Sequence, residues 1–248
     1  MIEICRFCGA KSKYWKTALI MQKYSVKYYD CNNCGYVQTE KPYWLEEAYS
    51  SAINKYDTGI LSRNYQNAQL MIFLLMLIWG TKFREKNCVD YAGGYGILVR
   101  LLRDYKIKSY WHDKYCENLF SEEYKWKPTV DSSVDLLSAF ELFEHFEFPG
   151  QELQNLLLIS KNILFSTTLI DDLLPDIGDW WYYGVEHGQH IGFYRKRTLQ
   201  YMAEKNNLNL LSDGRSIHML TEKNISSIAF KFVCILSKCT LSNFFKRI

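Results

Sequence analysis

Four cysteines near the N-terminus have the spacing of a metal site. They form two C-x-x-C pairs, each followed directly by a glycine: Cys5, Cys8 and Gly9, then Cys31, Cys34 and Gly35. Each pair turns both sulfur atoms to one side, and the glycine lets backbone N–H groups point at the thiolates without a Cβ clash. Two pairs joined by a short hairpin provide four soft ligands in a tetrahedron, the set that Zn²⁺ prefers. The spacing predicts a zinc ribbon with a structural ion, because four cysteine ligands leave no coordination position open.

Two other interpretations of these pairs stay open, namely a chance pairing and a redox-active pair. A thioredoxin-like redox pair would need a strand and a helix around it, and the residues after Cys8 do not show that pattern. The other cysteines lie in apolar or helical surroundings and are predicted to serve packing: Cys88, Cys116, Cys234 and Cys239.

A glycine-rich turn lies in the middle of the chain. The run D-Y-A-G-G-Y-G from Asp90 to Gly96 stands between a short apolar strand and an amphipathic helix. Glycines let the backbone approach a ligand closely, and a helix N-terminus favours anionic or polar groups. About twenty residues farther on, a second predicted strand from Ile107 to Trp111 leads to Asp113, a carboxylate placed to accept hydrogen bonds from two ribose hydroxyls. This order of strand, glycine turn, helix, strand and acid predicts a site for a ribose-containing cofactor.

The same residues resemble a known enzyme family. The run from Asp90 to Gly96 resembles the D-x-G-x-G-x-G motif of class I S-adenosylmethionine-dependent methyltransferases, with Ala92 in place of the first glycine. Three later segments are also similar to that family. Residues 134–146 resemble its fourth strand with the E-x-x-E-H end, residues 162–168 resemble its fifth strand, and residues 186–199 resemble its histidine-bearing segment. The resemblance covers about Asp90 to Leu220.

The resemblance implies S-adenosylmethionine as the cofactor. It implies that three groups of residues bind the cofactor. The glycine-rich loop provides Asp90, Ala92, Gly93, Gly94 and Gly96, the acid after the second strand is Asp113, and the floor beneath the sulfonium consists of Ser138, Ala139 and Phe140. Because the sulfonium makes the methyl group electrophilic, the protein must align an acceptor and remove its proton. A zinc ribbon ahead of such a domain also recurs in relatives that modify sugars of surface polysaccharides or nucleotide sugars.

Histidines are the candidates for the proton acceptor, since an imidazole titrates near neutral pH. They are His145, His187 and His190, and Glu144 and Glu186 could orient them. Structural alternatives stay open for each: His145 could pack beneath the cofactor, and the other two could shape a loop by hydrogen bonding. A zinc site at His187 and His190 is not expected, because no third ligand is evident at a suitable spacing.

Four aromatic residues precede these histidines: Trp180, Trp181, Tyr182 and Tyr183. Their rings could stack on a sugar or a base, or they could pack within a lid formed by the insertion 170–194.

Three functions follow from these residues. The first is methyl transfer to a small polar acceptor such as a sugar, a nucleotide sugar or a related glycan precursor. The second is methylation of an RNA base, with RNA held on the ribbon, where acidic residues offset five lysines: Lys11, Lys13, Lys16, Lys23 and Lys27. The third is a non-catalytic, zinc-stabilised scaffold, in which Ala92 marks the loss of cofactor binding.

The elements that must position these residues are those of an α/β fold. We expect a Rossmann-like class I methyltransferase sheet, mostly parallel with an antiparallel last strand, and a small N-terminal zinc ribbon. The predicted divisions are a ribbon, a linker with N-terminal helices, the methyltransferase domain and a C-terminal amphipathic helix: 1–40, 41–82, 83–222 and 223–248. The linker carries a long helix from about Ser62 to Thr81, and Asp213-Gly214 predicts a hairpin turn.

The last helix is basic through Lys231, Lys238, Lys246 and Arg247. It is expected to pack on the domain, with a membrane surface or a partner as the alternative.

Composition limits the remaining choices. The chain has 248 residues, 48% hydrophobic and 23% charged, which excludes a disordered chain. Its net charge of +3 neither shows nor excludes a nucleic-acid-binding face. No secretory signal is visible, and the most apolar run, Leu70 to Trp79, is shorter than the roughly 20 residues that span a bilayer. We therefore expect a cytoplasmic protein, while its oligomeric state stays open.

Overall fold

The computed structural model describes residues 2–50, 59–128 and 134–238. The strands in these ranges are β1 (Ile2–Ile4), β2 (Lys11–Ile20), β3 (Tyr24–Asp30), β4 (Val37–Thr39), β5 (Asn87–Tyr91), β6 (Lys108–His112), β7 (Leu136–Ala139), β8 (Ile163–Ser166), β9 (Gly192–Phe193), β10 (Asn209–Ser212) and β11 (Ile217–Thr221). The α-helices are α1 (Leu45–Ala48), α2 (Ile60–Trp79), α3 (Ile97–Asp104), α4 (Pro149–Ile159), α5 (Lys196–Lys205) and α6 (Ser227–Leu236).

The larger sheet has six strands in the order β10-β11-β8-β7-β5-β6. Strands β5, β6, β7 and β8 run parallel, whereas β11 runs antiparallel to both of its neighbours. This arrangement confirms the predicted mostly parallel sheet with an antiparallel last strand. The predicted hairpin at Asp213 is also present, as the turn between β10 and β11.

Helices cover both faces of the larger sheet. Successive residues of a strand point to opposite faces, and in β7 Leu136 packs against α2, α3 and α6, whereas Leu137 packs against α4 and α5. The long helix predicted from about Ser62 is α2; Gly80, at φ 56°, ends it, and a 3₁₀ helix over Gly80–Glu85 follows. The core therefore has three layers, and the carboxyl ends of the parallel strands share one edge.

The smaller sheet joins the N-terminal segment to the rest of the chain. It is antiparallel throughout, in the order β1-β2-β3-β4-β9. Its last strand, β9, comes from the segment between β8 and α5, and Val37 pairs there with Phe193. Cys5, Cys31 and Tyr36 are buried in the same apolar cluster as α4 and α5. The ribbon thus shares both its sheet and its core with later parts of the chain.

A buried arginine adds a polar connection between the ribbon and the larger domain. The Arg195 side chain is 3% exposed and precedes α5. Its Nη1 donates to Oδ1 of Asp30 at 2.7 Å, and its Nη2 donates to Oδ2 at 3.0 Å. Nη1 also donates to the carbonyl of Gly35 at 2.8 Å, within the second cysteine pair. Such fork-shaped pairing fixes geometry as well as charge, so Arg195 sets the position of that cysteine pair against α5.

Helix α6 packs on the domain through one face. Phe230, Val233 and Cys234 are buried, whereas Phe232 and Ile235 are exposed. Cys239, Lys246 and Arg247 lie outside the described residues. Within the described ranges, no helix has the length and apolarity needed to cross a membrane.

Candidate functional site

The glycine-rich turn lies at the carboxyl end of β5 and leads into α3. Gly94 and Gly96 have φ values of 53° and 84°, in the left-handed region that favours glycine. Ala92 has φ 60° and therefore adopts the same region with a Cβ present. At Gly93 a Cβ would lie 2.8 Å from Oδ2 of Asp90, so this position is tight as well. The loop is therefore left-handed at Gly94, at Gly96 and also at the substituted position, Ala92.

Asp113 follows β6 and holds the loop through backbone N–H groups. Its Oδ2 accepts from the N–H of Gly94 at 2.9 Å, and its Oδ1 accepts from the N–H groups of Tyr115 and Cys116 at 2.7 and 2.9 Å. Each carboxylate oxygen has two lone pairs, so the side chain keeps acceptor capacity toward a ligand. Asp113 thus shapes the loop in addition to any contact with a ribose.

Asp90, at the end of β5, is buried beneath the loop. The hydroxyl of Ser138 donates to its Oδ1 at 2.7 Å. Burial raises the pKa of Asp90 to about 7, and the negative charge of Asp113 adds to the rise, whereas the Ser138 hydrogen bond opposes it. Ser138 and Ala139 are fully buried in β7, and Phe140, the next residue, lines the cavity above the loop.

That cavity brings the predicted loop together with residues that the sequence did not single out. The loop residues Asp90, Ala92, Gly93 and Gly94 line it with Phe140. The additional lining residues come mainly from the start of α2 and from the end of β7: Ile60, Arg63, Asn64, Asn67 and Glu141. No distinct sequence signal marked the α2 group, because Ser62, Gln66 and Gln69 make other sides of the same part of the helix polar as well.

The three predicted histidines lie next to one another. The ring centroids of His145 and His190 are 5.0 Å apart, and those of His187 and His190 are 4.8 Å apart. We call these three residues the histidine cluster. His145 ends a 3₁₀ helix that follows β7, so the cluster belongs to the same edge of the sheet as the glycine-rich turn.

The partners of the imidazoles define which nitrogen carries the proton. Nδ1 of His145 lies 3.1 Å from the carbonyl of Gln189, and Nδ1 of His190 lies 2.6 Å from the carbonyl of Tyr182. A carbonyl only accepts hydrogen bonds, so Nδ1 of His190 is protonated and its Nε2 keeps a lone pair. Nδ1 of His145 also lies 2.9 Å from the hydroxyl of Tyr49; when that hydroxyl oxygen is a second acceptor beside the carbonyl of Gln189, His145 has the same tautomer. His187 differs, because its Nδ1 accepts from the N–H of Gln189 at 3.1 Å. His145 and His190 therefore have the free lone pairs, and His187 presents an N–H.

Burial keeps these imidazoles neutral. It lowers the pKa of His145 to about 4 and that of His190 to about 3, and it lowers the pKa of His187 as well. Glu186, the other predicted catalytic residue, is exposed and acts on His187 only through its charge, which opposes that lowering. The structure thus brings the three histidines together and leaves Glu186 at the surface.

Glu144 is fully buried beside the cluster. Neither carboxylate oxygen has a hydrogen-bond partner among the described residues. Burial raises its pKa to about 8, and the nearby hydroxyls of Tyr182 and Thr167 oppose the rise without reaching hydrogen-bond geometry. One ligand atom from each of Glu144, His145 and His190 lies within 4.8 Å of the others. This set does not include His187, so the expectation against a zinc site at His187 and His190 stays a prediction; folding instead brings His145 and Glu144 to His190 from a distant segment.

The aromatic run before the cluster divides into two groups. Tyr182 and Tyr183 are buried, and Trp180 packs against the same apolar cluster that covers the smaller sheet. Trp181 is 76% exposed. Packing therefore accounts for three of the four rings, and Trp181 alone has a free face for a ligand.

The four N-terminal cysteines meet at one point. Sγ of Cys5 lies 3.7 Å from Sγ of Cys34, Sγ of Cys8 lies 3.5 Å from Sγ of Cys31, and all four atoms lie within 4.8 Å of one another. A tetrahedral Zn²⁺ with Zn–S bonds of about 2.3 Å would set its sulfur atoms about 3.8 Å apart. The four-cysteine set therefore fits such an ion.

The turns after each cysteine pair explain the two glycines. Gly9 and Gly35 have φ values of 75° and 79°, and their N–H groups donate to the carbonyls of Cys5 and Cys31 at 2.9 and 2.8 Å. A side chain at either position would be strained in this left-handed conformation.

With this geometry in place, comparison with known proteins decides the family. Residues 63–213, more than half of the chain, match a family model described as a methyltransferase domain. The chain belongs to this methyltransferase family. Its domain is of the class I, S-adenosylmethionine-dependent type. A search of curated proteins gave no match.

Several solved structures are similar at low sequence identity. An O-methyltransferase family protein from Burkholderia thailandensis is 10% identical, with a TM-score of 0.47 over 73% of this chain and 63% of that chain. Magnesium protoporphyrin IX methyltransferase from Synechocystis is 10% identical, with a TM-score of 0.46 over 72% of this chain and 93% of that chain. Human N-acetylserotonin methyltransferase is 15% identical, with a TM-score of 0.35 over 73% of this chain and 66% of that chain. The methyltransferase chain described here spans less than two thirds of the length of the Burkholderia protein.

Proposed function

We propose that this protein transfers the methyl group of S-adenosylmethionine to a hydroxyl oxygen of a small polar acceptor, namely a sugar, a nucleotide sugar or a related glycan precursor. The observation that carries the proposal is the pairing of two features at one edge of the sheet. The glycine-rich turn follows β5, and two imidazoles with free Nε2 lone pairs follow β7 and β8 along the chain. Ligands of open α/β sheets bind at this edge.

The cofactor would be held by the loop and by the ends of β5, β6 and β7. Asp90 would face the positively charged methionine end, and Asp113 would accept from the ribose hydroxyls. Gly93, Gly94 and Gly96, with Ala92, would let the backbone approach the cofactor. Beneath the sulfonium the floor would be formed by β7 and the residue after it: Ser138, Ala139 and Phe140.

The histidine cluster would serve the acceptor. His145 and His190 would take the acceptor proton, because their Nε2 atoms have lone pairs and burial keeps them neutral. His187 would donate its N–H to an acceptor oxygen, with Glu186 modulating its charge. Trp181 offers an exposed ring with an N–H edge, which suits the apolar face and the hydroxyls of a sugar.

The ribbon would bind one structural Zn²⁺ through Cys5, Cys8, Cys31 and Cys34. Four thiolates require a reducing compartment such as the cytoplasm. The proposed divisions of the chain are 1–40, 41–82, 83–222 and 223–248. The first of them, the ribbon, needs β9 from a later division to complete its sheet.

Neither alternative function gains support from the described residues. Three of the ribbon lysines are paired with carboxylates: Lys16 with Asp176, Lys23 with Glu47 and Lys27 with Glu40. The carboxylates offset the positive charge of these lysines, so this part of the ribbon has little net attraction for RNA phosphates. For the scaffold function, Ala92 was expected to mark the loss of cofactor binding. Its backbone nevertheless lies in the same left-handed region as Gly94 and Gly96.

Isothermal titration with S-adenosylhomocysteine tests the cofactor site. We expect micromolar binding that Asp113→Ala weakens by at least tenfold, through loss of the ribose contact and of the loop hydrogen bonds. Asp104→Ala is the matched control, since Asp104 is exposed at the end of α3 and forms an exposed ion pair with Arg100; binding should not change. Folded, zinc-replete protein that binds no S-adenosylhomocysteine would favour the scaffold. If S-adenosylhomocysteine binds, its formation from S-adenosylmethionine is measured with each candidate acceptor. Formation in the presence of nucleotide sugars, but not in the presence of RNA, would support the proposed acceptor class.

A further inference from the structure

The carboxylate of Glu144 is the least explained polar group near the proposed acceptor site. The residue is fully buried, and both oxygens lack a hydrogen-bond partner among the described residues. Buried polar groups are nearly always partnered, so an orphaned pair of oxygens calls for a specific explanation such as an ion. Proton transfer by His145 and His190 does not provide one, because it leaves Glu144 without a role.

The surroundings of Glu144 have the features of a metal-ligand set. One ligand atom from each of Glu144, His145 and His190 lies within 4.8 Å of the others. Both imidazoles hold Nδ1–H against a backbone carbonyl, that of Gln189 for His145 and that of Tyr182 for His190. Histidines that bind metals almost always donate their second ring N–H in this way, because it fixes the ring and directs the other nitrogen at the ion.

We propose that Glu144, His145 and His190 form a second metal site, for one divalent transition-metal ion, distinct from the four-cysteine site of the ribbon. Two imidazoles and a carboxylate suit Zn²⁺, Fe²⁺ or Mn²⁺, whereas a four-thiolate set takes Zn²⁺ and disfavours a harder ion such as Mn²⁺. Bonds of about 2.1 Å would place the three ligand atoms about 3 to 3.5 Å apart. Because the atoms already lie within 4.8 Å of one another, only small side-chain movements separate them from that spacing.

Three protein ligands leave coordination positions open for the acceptor. The inference rests on the proposed function and changes one part of it: the Nε2 lone pairs of His145 and His190 bind the ion, so the ion takes the place of the two imidazoles in activating the acceptor. An acceptor hydroxyl that binds the ion becomes more acidic, as water does on catalytic zinc. The O–H bond breaks and its proton leaves to solvent, the oxygen forms a bond to the methyl carbon, and the C–S bond breaks with its electron pair going to sulfur. The products are a methyl ether, S-adenosylhomocysteine and one proton.

Binding of Mn²⁺ to the full chain tests the site without reference to activity. The protein is loaded with one equivalent of Zn²⁺, which the four thiolates take first, and free Mn²⁺ is then followed by electron paramagnetic resonance. We expect one bound Mn²⁺ per chain. Glu144→Gln and His190→Gln should each weaken binding by at least tenfold, whereas Glu186→Gln, a glutamate of the same region that lies outside the ligand set, should not. Circular dichroism of each variant establishes that it is folded.

The outcomes separate this inference from the proposed function. Folded wild type that takes up no Mn²⁺, or a folded Glu144→Gln variant that binds Mn²⁺ like the wild type, would overturn the metal site. Should Glu144→Gln fail to fold, His190→Gln decides by the same measure. S-adenosylhomocysteine is titrated into the same samples: binding of the nucleoside without Mn²⁺ removes only the metal site, and binding of Mn²⁺ without the nucleoside removes only the proposed function.

Discussion

The contact between Arg195 and Asp30 should be one of the strongest single stabilising interactions between the ribbon and the larger domain. Arg195→Met removes a guanidinium that is 3% exposed and forms two hydrogen bonds to a carboxylate that is 23% exposed. It also leaves the carbonyl of Gly35 without that donor. The capping of α5 survives, because the N–H of Arg195, not its side chain, donates to Thr198.

The magnitude follows from the burial of the pair. Removing one partner of a buried ion pair costs about 3–5 kcal/mol, whereas exposed pairs contribute about 0.2–1 kcal/mol. Because Asp30 keeps some contact with solvent, we expect Arg195→Met to cost about 3 kcal/mol and Asp30→Asn about 1–2 kcal/mol. The double variant should then show a coupling of about 1–2 kcal/mol, as contacting residues do.

Urea unfolding followed by circular dichroism measures these differences, and a chromogenic chelator measures zinc release from the ribbon. We expect Arg195→Met to release zinc faster, since it frees the backbone of the second cysteine pair. Lys16→Met is the control, because the pair of Lys16 with Asp176 is exposed on both sides and should change neither quantity measurably. A coupling below about 0.5 kcal/mol between Arg195 and Asp30 would refute the reasoning.

Three further predictions concern single positions. Ala92→Gly should raise the free energy of unfolding by about 1 kcal/mol and the Tm by about 2–4 °C, because it relieves a left-handed alanine; an unchanged or lower Tm in calorimetry would contradict this. Gly192→Ala should lower the free energy of unfolding by more than about 2 kcal/mol, since its Cβ would lie 1.8 Å from the buried hydroxyl of Tyr36; a Tm like that of wild type would show that β9 can shift. The pKa of Asp90 is raised on folding from 3.8 to about 7, so the folded state favours its protonated form. The contribution of Asp90 to stability should therefore be greatest below about pH 4 and fall by up to about 4 kcal/mol as the pH rises to about 7. Urea unfolding of Asp90→Asn at pH 5 and pH 7.5 should lack this decline, and an equal decline in both proteins would assign it to other groups.

Features set by neighbouring residues were predictable from the sequence. The glycine turn after β5, the hairpin at Asp213 and the two cysteine pairs depend on glycine conformations and short spacings, so local chemistry determines them. Even the position of α2 followed from its apolar periodicity and from Gly80 at its end. Within the candidate site, the three histidines named from the sequence do lie next to one another, and their catalytic role stays a prediction.

Features that depend on distant segments were not predictable in the same way. The two residues of β9 are too short to read as a strand, and they pair with β4 only because folding brings them there. From the sequence, Glu144 was predicted only to orient a histidine. Its burial was not predictable, because burial depends on the whole fold and not on the pair Glu144-His145. Arg195 had no sequence signal at all, because its partner Asp30 lies 165 residues earlier in the chain.

The pairing of β4 with β9 has a consequence for how the protein is made. The ribbon leaves the ribosome before the strand that completes its sheet, which follows about 150 residues later. At about 5–20 residues per second, roughly 8–30 s pass in which β4 presents an unpaired edge. Exposed edges are sites for pairing with other chains. The nascent ribbon is therefore open to intermolecular pairing during synthesis, and prompt binding of a metal ion by the cysteines would limit that exposure by holding β3 and β4 in place.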